Sequence, residues 1–305
     1  MIRIIDKEVL SSDNTHMLKG KVYLPEGSPK GLFHVVHGMT EYIGRYDSFM
    51  REMAEYGWLT FGYDHLGHGQ TALNEDEMGY IAPEDGWKRL VEDVRLFGSA
   101  VRQEADASLP FVLMGHSMGS FIVRLCAAKF NHYDKLIVMG TGGPNPAAGA
   151  GISLCKKLKT IMDDHERSDL VYSATFGAYN SGFERENDKY AWLSVDKKNR
   201  IEYRKDPYCA YMFTISGMQD LVCLSKYSND KIWFEAIDKR KPILLVAGSE
   251  DPVGDHGKGV RTVYEMLKEA GANVEIKLYE GYRHEILRDY CRRQVIADIK
   301  RFIEK

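Results

Sequence analysis

A serine between two glycines is the first feature of the chain that suggests chemistry. The stretch FVLMGHSMGS, residues 111 to 120, is an apolar run that stops at Ser117, with Gly115 and Gly119 two positions away on either side. A serine hydroxyl is a poor nucleophile at neutral pH until a general base accepts its proton. A strand that turns sharply into a helix, with glycines to permit the turn, would expose that hydroxyl. The G-x-S-x-G pattern arises by chance in roughly one chain in ten of this length, so a plain turn is the alternative interpretation.

A base and a carboxylate later in the chain support the nucleophile. Serine nucleophiles are usually activated by a histidine that a carboxylate orients. His284 follows the last predicted strand and is expected to open the last helix, whereas Asp251 stands at a turn after the preceding strand, with Glu250 as the alternative. Such a histidine on its own is more often a cap or a surface residue. All three side chains follow predicted strands, and open parallel sheets place their sites at the carboxyl ends of strands. We therefore predict a triad of Ser117, Asp251 and His284.

The reaction also needs hydrogen-bond donors for the oxygen that becomes negative. One donor should be the backbone N–H of Met118, directly after the nucleophile. The other should come from the loop after the strand in GLFHVVHG (residues 31 to 38), where Met39 is placed to supply its N–H. Because backbone groups would act here, the methionine side chains say little about this role.

Strands and helices alternate along most of the chain. Short apolar runs such as KPILLVAG (241 to 248) indicate buried strands, and residues 86 to 105 carry their apolar side chains on one helical face. Repeated strand–helix units predict a mostly parallel sheet with helices on both faces. The alternation stops between residues 144 and 227, where a helix predicted over 152–162 precedes an aromatic-rich tract. We therefore predict an α/β core formed by residues 1–143 and 228–305, with a mainly helical insertion at 144–227.

The composition argues against several classes of protein. A net charge of −3 without a basic block disfavours nucleic-acid binding. The sequence has no apolar run of about 18 residues, as a membrane span requires, and the first residues lack the apolar segment of a secretory signal. Five cysteines without a C-x-x-C pair indicate free thiols, so we expect a cytoplasmic protein. We expect no cofactor and no metal, since His65 and His68 have no carboxylate spaced to complete a metal site.

Five sequence blocks resemble the motifs of monoacylglycerol lipases and related lysophospholipases. In chain order they are HGMTEYIGRY (37–46), FGYDHLGHGQT (61–71), GHSMGS (115–120), GSEDPVG (248–254) and YEGYRHEIL (279–287). The resemblance runs from about residue 15 to the C-terminus and is weakest in the insertion. It implies an α/β-hydrolase fold with an eight-stranded core and a cap over the site. It also implies the same triad and the same two oxyanion donors.

The resemblance further implies supporting roles for residues near the site. It assigns His37 and Gly38 to the shape of the oxyanion loop, His65 and His68 to a supporting loop, and structural roles to Glu41, Arg45 and Tyr46. Two positions depart from the family pattern. Tyr42 stands where the family block HGxxEH has its second histidine, and Ser120 stands where a further glycine is usual. Neither residue belongs to the triad, but both are expected to influence the shape of the pocket.

The insertion supplies the candidates for the substrate pocket. Its aromatic, methionine and cysteine side chains suit an acyl chain, and the pocket candidates are Phe176, Trp192, Cys209, Met212 and Phe213. For Cys209 the basis is the tract KDPYCAYMFT (205–214), which is similar to a cap segment near the acyl-binding pocket of the family. Two alternatives stay open: these side chains form the small core of the cap itself, and Cys209 is a buried packing residue.

Together these residues predict a serine hydrolase that cleaves carboxylic esters of fatty acyl chains, of the monoacylglycerol or lysophospholipid type, through an acyl-enzyme. Short-chain or aromatic esterase, thioesterase and aminopeptidase activities occur on the same fold and stay open. An aminopeptidase would need acidic groups near the site, and the insertion offers Glu184, Glu186, Asp188 and Asp206. A non-catalytic ligand-binding protein is disfavoured because the whole triad is present. The expected partner is a small ester or lipid. Transient contact of the cap with a membrane surface is compatible with the sequence, which does not determine the oligomeric state.

Overall fold

A single eight-stranded sheet forms the centre of the molecule. The computed structural model describes residues 1–305, and the strand order across the sheet is β1-β2-β4-β3-β5-β6-β7-β8. The strands are β1 (Arg3–Leu10), β2 (Met17–Leu24), β3 (Leu32–Val36), β4 (Leu59–Tyr63), β5 (Phe111–His116), β6 (Lys135–Met139), β7 (Ile243–Gly248) and β8 (Val274–Tyr279). Only the pairings β1–β2 and β2–β4 are antiparallel. The predicted mostly parallel sheet of eight strands is confirmed.

Ten helices accompany the sheet. They are α1 (Asp47–Glu55), α2 (Gly86–Gln103), α3 (Met118–Phe130), α4 (Ala148–Leu158), α5 (Asp169–Phe176), α6 (Lys197–Lys205), α7 (Ile215–Ser228), α8 (Lys231–Ala236), α9 (Lys258–Glu269) and α10 (Arg292–Glu304). None of them is both long enough and apolar enough to cross a membrane.

The sheet is buried on both faces, as its apolar central strands require. Successive side chains of a strand point to opposite faces, so Val112 and Met114 of β5 belong to one apolar cluster and Leu113 to the other. The first cluster also contains side chains of α1 and α10, whereas the second contains side chains of α2, α3, α7 and α9. The helices therefore cover both faces of the sheet, as the alternating sequence predicted.

The last helix begins later than the sequence suggested. We expected His284 to open it, but α10 begins at Arg292, and His284 lies in the loop that follows β8. The residues between them make only a short 3-10 turn at Ile286–Arg288. The side chains of Arg288 and Asp289 instead bind residues of the 194–202 segment. These tertiary contacts hold the segment away from a helical path.

Residues 144–227 contain α4, α5, α6 and all of α7 except its last residue, Ser228. The helix predicted over 152–162 is present as α4, although it begins four residues earlier and ends at Leu158. Helix α7 packs against α2 and α3, and its apolar side chains join the larger core cluster. The division into a core and an insertion at 144–227 stays a prediction. Helix α7, which falls in the predicted insertion, is in direct contact with helices of the predicted core.

Candidate active site

Ser117 occupies a strained turn between β5 and α3. Its backbone angles are φ 55° and ψ −122°, a conformation that is rare for a residue with a side chain and that must be held by its surroundings. Its N–H donates to the carbonyl oxygen of Met139 at 2.9 Å. A Cβ on Gly115 would lie 2.2 Å from the carbonyl oxygen of Gly119, and one on Gly119 would lie 2.2 Å from that of Val36. The two glycines are therefore required because the start of α3 lies directly against β3 and β5.

His284 and Asp251 form a buried pair. The Nδ1 atom of His284 lies 2.9 Å from Oδ2 of Asp251, and both side chains are almost completely excluded from solvent. The other carboxylate oxygen of Asp251 accepts the N–H of Val253 at 2.9 Å, which fixes the carboxylate at the turn after β7. Glu250, the alternative carboxylate, lies 3.6 Å from His256 instead. Of the two acidic residues, the structure brings Asp251 to the histidine.

The two expected oxyanion donors lie beside the serine. Met39, Met118, Ser117 and His284 all line one cavity. The N–H of Met39 has no hydrogen-bond partner in the chain, and that of Met118 belongs to the first residue of α3, which has no partner within the helix. Both N–H groups are therefore available to an oxygen in the cavity.

A buried charged network lies beneath the oxyanion loop. Oε1 of Glu41 accepts the N–H of Gly38 at 2.6 Å and the hydroxyl of Tyr46 at 2.8 Å, and it lies 3.1 Å from Nδ1 of His116. Nε2 of His116 lies 3.2 Å from the carbonyl oxygen of His284. Both ring nitrogens of His116 thus face acceptors. The network links the oxyanion loop to the loop of the candidate base.

The electrostatics of this network agree with its geometry. Burial alone would lower the pKa of His116, but the hydrogen bond and the charge of Glu41 more than offset it, so that pKa is raised. Burial alone would raise the pKa of Glu41, yet His116 and Arg45 hold it well below its usual range. The pair is therefore best described as an imidazolium and a carboxylate, the form in which His116 donates to both of its neighbours.

Three further histidines support the oxyanion loop as neutral rings. Burial lowers the pKa of His37 to about 4 and that of His68 to about 3, and it places the pKa of His65 well below its usual value. Nε2 of His37 accepts the N–H of His65 at 3.1 Å, and the rings of His37 and His65 lie 4.2 Å apart. The loop after β4 is thereby packed against the loop after β3.

The two departures from the family pattern both make hydrogen bonds. The hydroxyl of Ser120 donates to the carbonyl oxygen of Ser117 at 2.5 Å, within the turn itself. The hydroxyl of Tyr42 donates to Asp206 at 3.1 Å, just after α6. Ser120 therefore adds a contact to the turn at Ser117, and Tyr42 ties the oxyanion loop to the 144–227 segment.

The cavity above Ser117 is large and mainly apolar. Its volume is about 670 Å³, and 22 of its 35 lining residues are hydrophobic. The apolar wall comes from α4, α5 and α7, with Leu154, Val171, Phe176, Leu221 and Val222. A cavity of this size and character fits an apolar ligand that extends several carbons from the serine.

Of the five pocket candidates, the structure brings two to the cavity. Phe176 and Trp192 line it, and the ring of Trp192 lies 5.3 Å from that of His284. Cys209, Met212 and Phe213 do not line it, so these three predictions need correction. Cys209 packs in a small cluster with Tyr190, Leu193 and Tyr203, which is the packing role that the sequence left open. Phe213 is completely buried beside His68 and Gly79, and the carbonyl oxygen of Met212, which precedes it, accepts a hydrogen bond from Arg167.

Several lining residues were missed by the sequence interpretation. Tyr172 and Tyr179 share the wall with Phe176, and their spacing along and just beyond α5 was a signal that could have found them. Tyr203 and Glu285 also line the cavity. No local pattern marks these two, because their place depends on how α6 docks.

Strand order, helices on both faces and the strained serine after β5 are those of the α/β-hydrolase fold. The chain belongs to the family described as serine aminopeptidase, S33, whose model matches residues 27–290. Among its relatives, the monoglyceride lipase of Homo sapiens is 28% identical over 280 residues, which cover 87% of this chain and 78% of the relative. The monoacylglycerol lipase of Mycolicibacterium smegmatis is 25% identical over 288 residues, 92% of this chain and 91% of the relative.

Solved structures agree with this assignment. A thermostable carboxyl esterase from Bacillus coagulans, in complex with glycerol, superposes with a TM-score of 0.93 at 28% identity and covers 99% of this chain and 98% of its own. A monoglyceride lipase from Saccharomyces cerevisiae has a TM-score of 0.71 at 20% identity, covering 94% and 91% of the two chains, and so shares the fold. The predicted resemblance is confirmed, and the protein is a carboxylic ester hydrolase.

Proposed function

We propose that the protein hydrolyses carboxylic esters of fatty acyl chains, of the monoacylglycerol or lysophospholipid type, through an acyl-enzyme on Ser117. The observation that carries this proposal is a single cavity lined by both Ser117 and His284, with Asp251 hydrogen-bonded behind the histidine and an apolar wall beyond. Two of its relatives are a monoglyceride lipase and a monoacylglycerol lipase, which supports a glycerol ester as the substrate.

In the proposed mechanism the buried pair activates the serine. Asp251 accepts a hydrogen bond from the Nδ1–H of His284, which leaves Nε2 free to take the hydroxyl proton of Ser117 as the serine oxygen attacks the ester carbonyl. The carboxylate also stabilises the imidazolium that forms. His284 then gives the proton to the leaving alcohol. The acyl group stays on Ser117 until a water molecule, deprotonated by the same histidine, releases the fatty acid.

The negative oxygen of the tetrahedral intermediate is stabilised by backbone donors. The N–H groups of Met39 and Met118 have no competing partner in the chain. Donors that are fixed before the reaction need no reorganisation when the charge develops, which is why such sites contribute strongly to the rate. The hydrogen bond from Gly38 to Glu41 holds the loop that carries Met39.

The charges around the cavity favour an ester over an aminoacyl substrate. A free amine would need a carboxylate to bind it, and the two that line the cavity are engaged: Glu41 with His116 and Arg45, and Glu285 with Arg45. The four acidic residues that the sequence offered for this role, Glu184, Glu186, Asp188 and Asp206, do not line the cavity. Glu186, for example, pairs with Arg200 and Arg283. The experiment below therefore compares hydrolysis of esters with aminopeptidase and thioesterase activity.

The experiment replaces the serine and profiles substrates. Ser117→Ala should abolish hydrolysis of p-nitrophenyl decanoate and labelling by a fluorophosphonate probe, with an unchanged melting temperature. Ser108→Ala, an exposed serine on the loop before β5, is the matched control. The wild type should prefer monoacylglycerols or lysophospholipids over acyl thioesters and over aminoacyl p-nitroanilides.

Two results would contradict the proposal. Turnover retained in Ser117→Ala would exclude this nucleophile, and a wild type that is neither labelled nor active would favour the ligand-binding alternative. Contact of the insertion with a membrane surface and a cytoplasmic location stay predictions.

A further inference from the structure

Helix α6 presents two buried side chains, one turn apart, to the two loops of the candidate site. Asn199 and Tyr203 are four residues apart and so share one face of the helix. Asp196 caps the helix by accepting the N–H of Lys198, which fixes where this face begins. Helix α6 lies in the segment predicted to be an insertion, outside the eight-stranded core.

Asn199 holds the loop of the candidate base. Its Nδ2 donates to Oε2 of Glu285 at 2.5 Å, and Glu285 directly follows His284. The Glu285 carboxylate also accepts from Arg45 at 2.8 Å on each oxygen. The backbone N–H of Glu285 donates to the carbonyl oxygen of Leu193, just before α6, at 2.8 Å. The position of His284 along its loop is therefore set by contacts with the 193–199 segment as well as by Asp251.

Tyr203 holds the oxyanion loop. Its hydroxyl lies 2.6 Å from the Oγ1 atom of Thr40, and both groups are buried. Thr40 directly follows Met39 and has a positive φ of 49°. Such a conformation is unfavourable for a residue with a side chain, so it needs a contact that holds it. The hydroxyl of Tyr203 supplies that contact beside the candidate donor.

The sheet does not by itself fix the distance between these loops. Strands β3 and β8, which precede them, are four positions apart in the sheet, roughly 19 Å at the usual strand spacing. Beyond the strand ends the loops have no ladder of hydrogen bonds. One bridge between them runs through Glu41 and His116, another runs through Arg45, which pairs with both Glu41 and Glu285, and helix α6 forms a third.

We propose that α6 is a brace that positions the general base and the oxyanion donor relative to each other, with Asn199 and Tyr203 as its positioning residues. The inference rests on the proposed roles of Ser117, His284 and Met39. It goes beyond them because a segment outside the core sheet then acts on the chemical step, and not only as a wall of the cavity. A helix that served only as a wall would affect long acyl chains and leave the smallest ester untouched.

The experiment uses an ester too short to reach the apolar wall. We measure kcat and KM for p-nitrophenyl acetate, and the rate of labelling by a fluorophosphonate probe, in Asn199→Ala and Tyr203→Phe. Displacing a reacting group by about 1 Å can cost up to about 100-fold in rate. We expect kcat and the labelling rate to fall together, by about 10- to 100-fold, with KM for the acetate nearly unchanged. Lys198→Ala on the same helix, with a side chain 82% exposed, is the matched control and should match the wild type.

Two results would contradict the proposed positioning role of α6. The inference is wrong if both variants turn over the acetate at the wild-type kcat, or if the loss appears only with long-chain esters. Tyr203→Phe removes a single hydroxyl, so it decides the question if Asn199→Ala fails to fold. Activity retained in Ser117→Ala would instead refute the proposed function, which keeps the two failures distinguishable.

Discussion

Ser117 shows how much of the site depends on the residues beside it. Its positive φ turns the side chain out of the strand and into the cavity, and Gly115 and Gly119 leave room for the backbone to make that turn. The same hydroxyl on an ordinary strand would point to a face of the sheet that helices cover, away from any substrate. The reactivity proposed for Ser117 thus depends on the turn that presents it, and the neighbouring glycines are as necessary for that turn as the serine is for the chemistry.

A methyl group added at Gly119 tests this dependence. Gly119→Ala would place Cβ 2.2 Å from the carbonyl oxygen of Val36 and 2.5 Å from that of His37, both of them backbone atoms. We expect the free energy of unfolding to fall by about 1 to 3 kcal/mol, the usual cost of overpacking, and esterase activity to be lost with the turn. Urea unfolding and p-nitrophenyl butyrate turnover measure the two effects.

An exposed glycine provides the comparison. Gly149 lies in α4, and a Cβ there would meet no atom within 4 Å. Gly149→Ala should be neutral or stabilise the protein by up to about 1 kcal/mol, because alanine favours the helix. Equal effects of the two substitutions would show that crowding at the turn is not the cause.

At the scale of elements, the apolar wall is assembled from helices that lie outside the core strands. Helix α5 contributes Val171, Tyr172 and Phe176 to the cavity, while its Leu170 side chain points to solvent and is 63% exposed. One helix therefore carries both a lining residue and a residue that can serve as its control.

Truncation at Phe176 should change the preference for acyl length. A buried phenylalanine side chain contributes about 1.5 to 3 kcal/mol through apolar burial, so its loss corresponds to about a 10- to 100-fold effect when the substrate covers it fully. We expect Phe176→Ala to lower kcat/KM for p-nitrophenyl decanoate far more than for the acetate. Leu170→Ala should leave the ratio of the two rates unchanged. A proportional loss on both esters would place Phe176 outside the acyl-binding wall.

Sequence patterns predicted the strands and helices more reliably than the contacts between them. The strands and most of the helices followed from apolar periodicity, because each pattern is local and reports which face is buried. The late start of α10 did not follow, since Arg288 and Asp289 bind a segment about 90 residues earlier in the chain. Phe213 was placed at the pocket because it is apolar, but apolar character does not distinguish the lining of a cavity from a core. Cys209 was placed there because its tract is similar to a family cap segment, and such a likeness does not determine which way one side chain packs.

Some residues of the candidate site could be predicted from the sequence, and others could not. Ser117, Asp251 and His284 could be chosen in advance because the carboxyl ends of parallel strands meet at one edge of the sheet. Asn199 and Tyr203 could not be chosen, because an asparagine and a tyrosine on a short polar helix carry no signal until the helix has docked. Their contacts with Glu285 and Thr40 join residues that are 86 and 163 positions apart.

At the scale of the whole molecule, stability should depend on a carboxyl group between α7 and α2. Oδ1 of Asp220 accepts the N–H of Trp87 at 2.9 Å, whereas its Oδ2 has no hydrogen-bond partner. Burial raises the pKa of Asp220 to about 7. The folded protein therefore holds this proton over a range in which the unfolded chain, with a carboxyl pKa near the usual value of about 4, has released it.

This arrangement gives a signed prediction. The contribution of Asp220 favours the folded state at low pH, is lost progressively as the pH rises from about 4 to about 7, and is constant above that. Asp220→Asn should therefore gain stability relative to the wild type across this range, by on the order of 4 kcal/mol at most. Chemical unfolding at pH 4 through 8 measures the difference. Asp163→Asn, with a side chain 71% exposed, is the control and should give a flat difference; a flat difference for Asp220→Asn as well would contradict the prediction.

The strand order has a consequence for the life of the protein before it is complete. Ser117 and the two proposed oxyanion donors precede residue 120, whereas Asp251 and His284 follow strands β7 and β8, which join the far edge of the sheet last in chain order. Chains are synthesised from the N-terminus, and folding can begin before synthesis ends. A nascent chain can thus assemble the turn at Ser117 before the proposed base, His284, has been synthesised. By the proposed mechanism, the growing polypeptide cannot hydrolyse an ester until the final quarter of the chain, which carries Asp251 and His284, has folded onto the sheet.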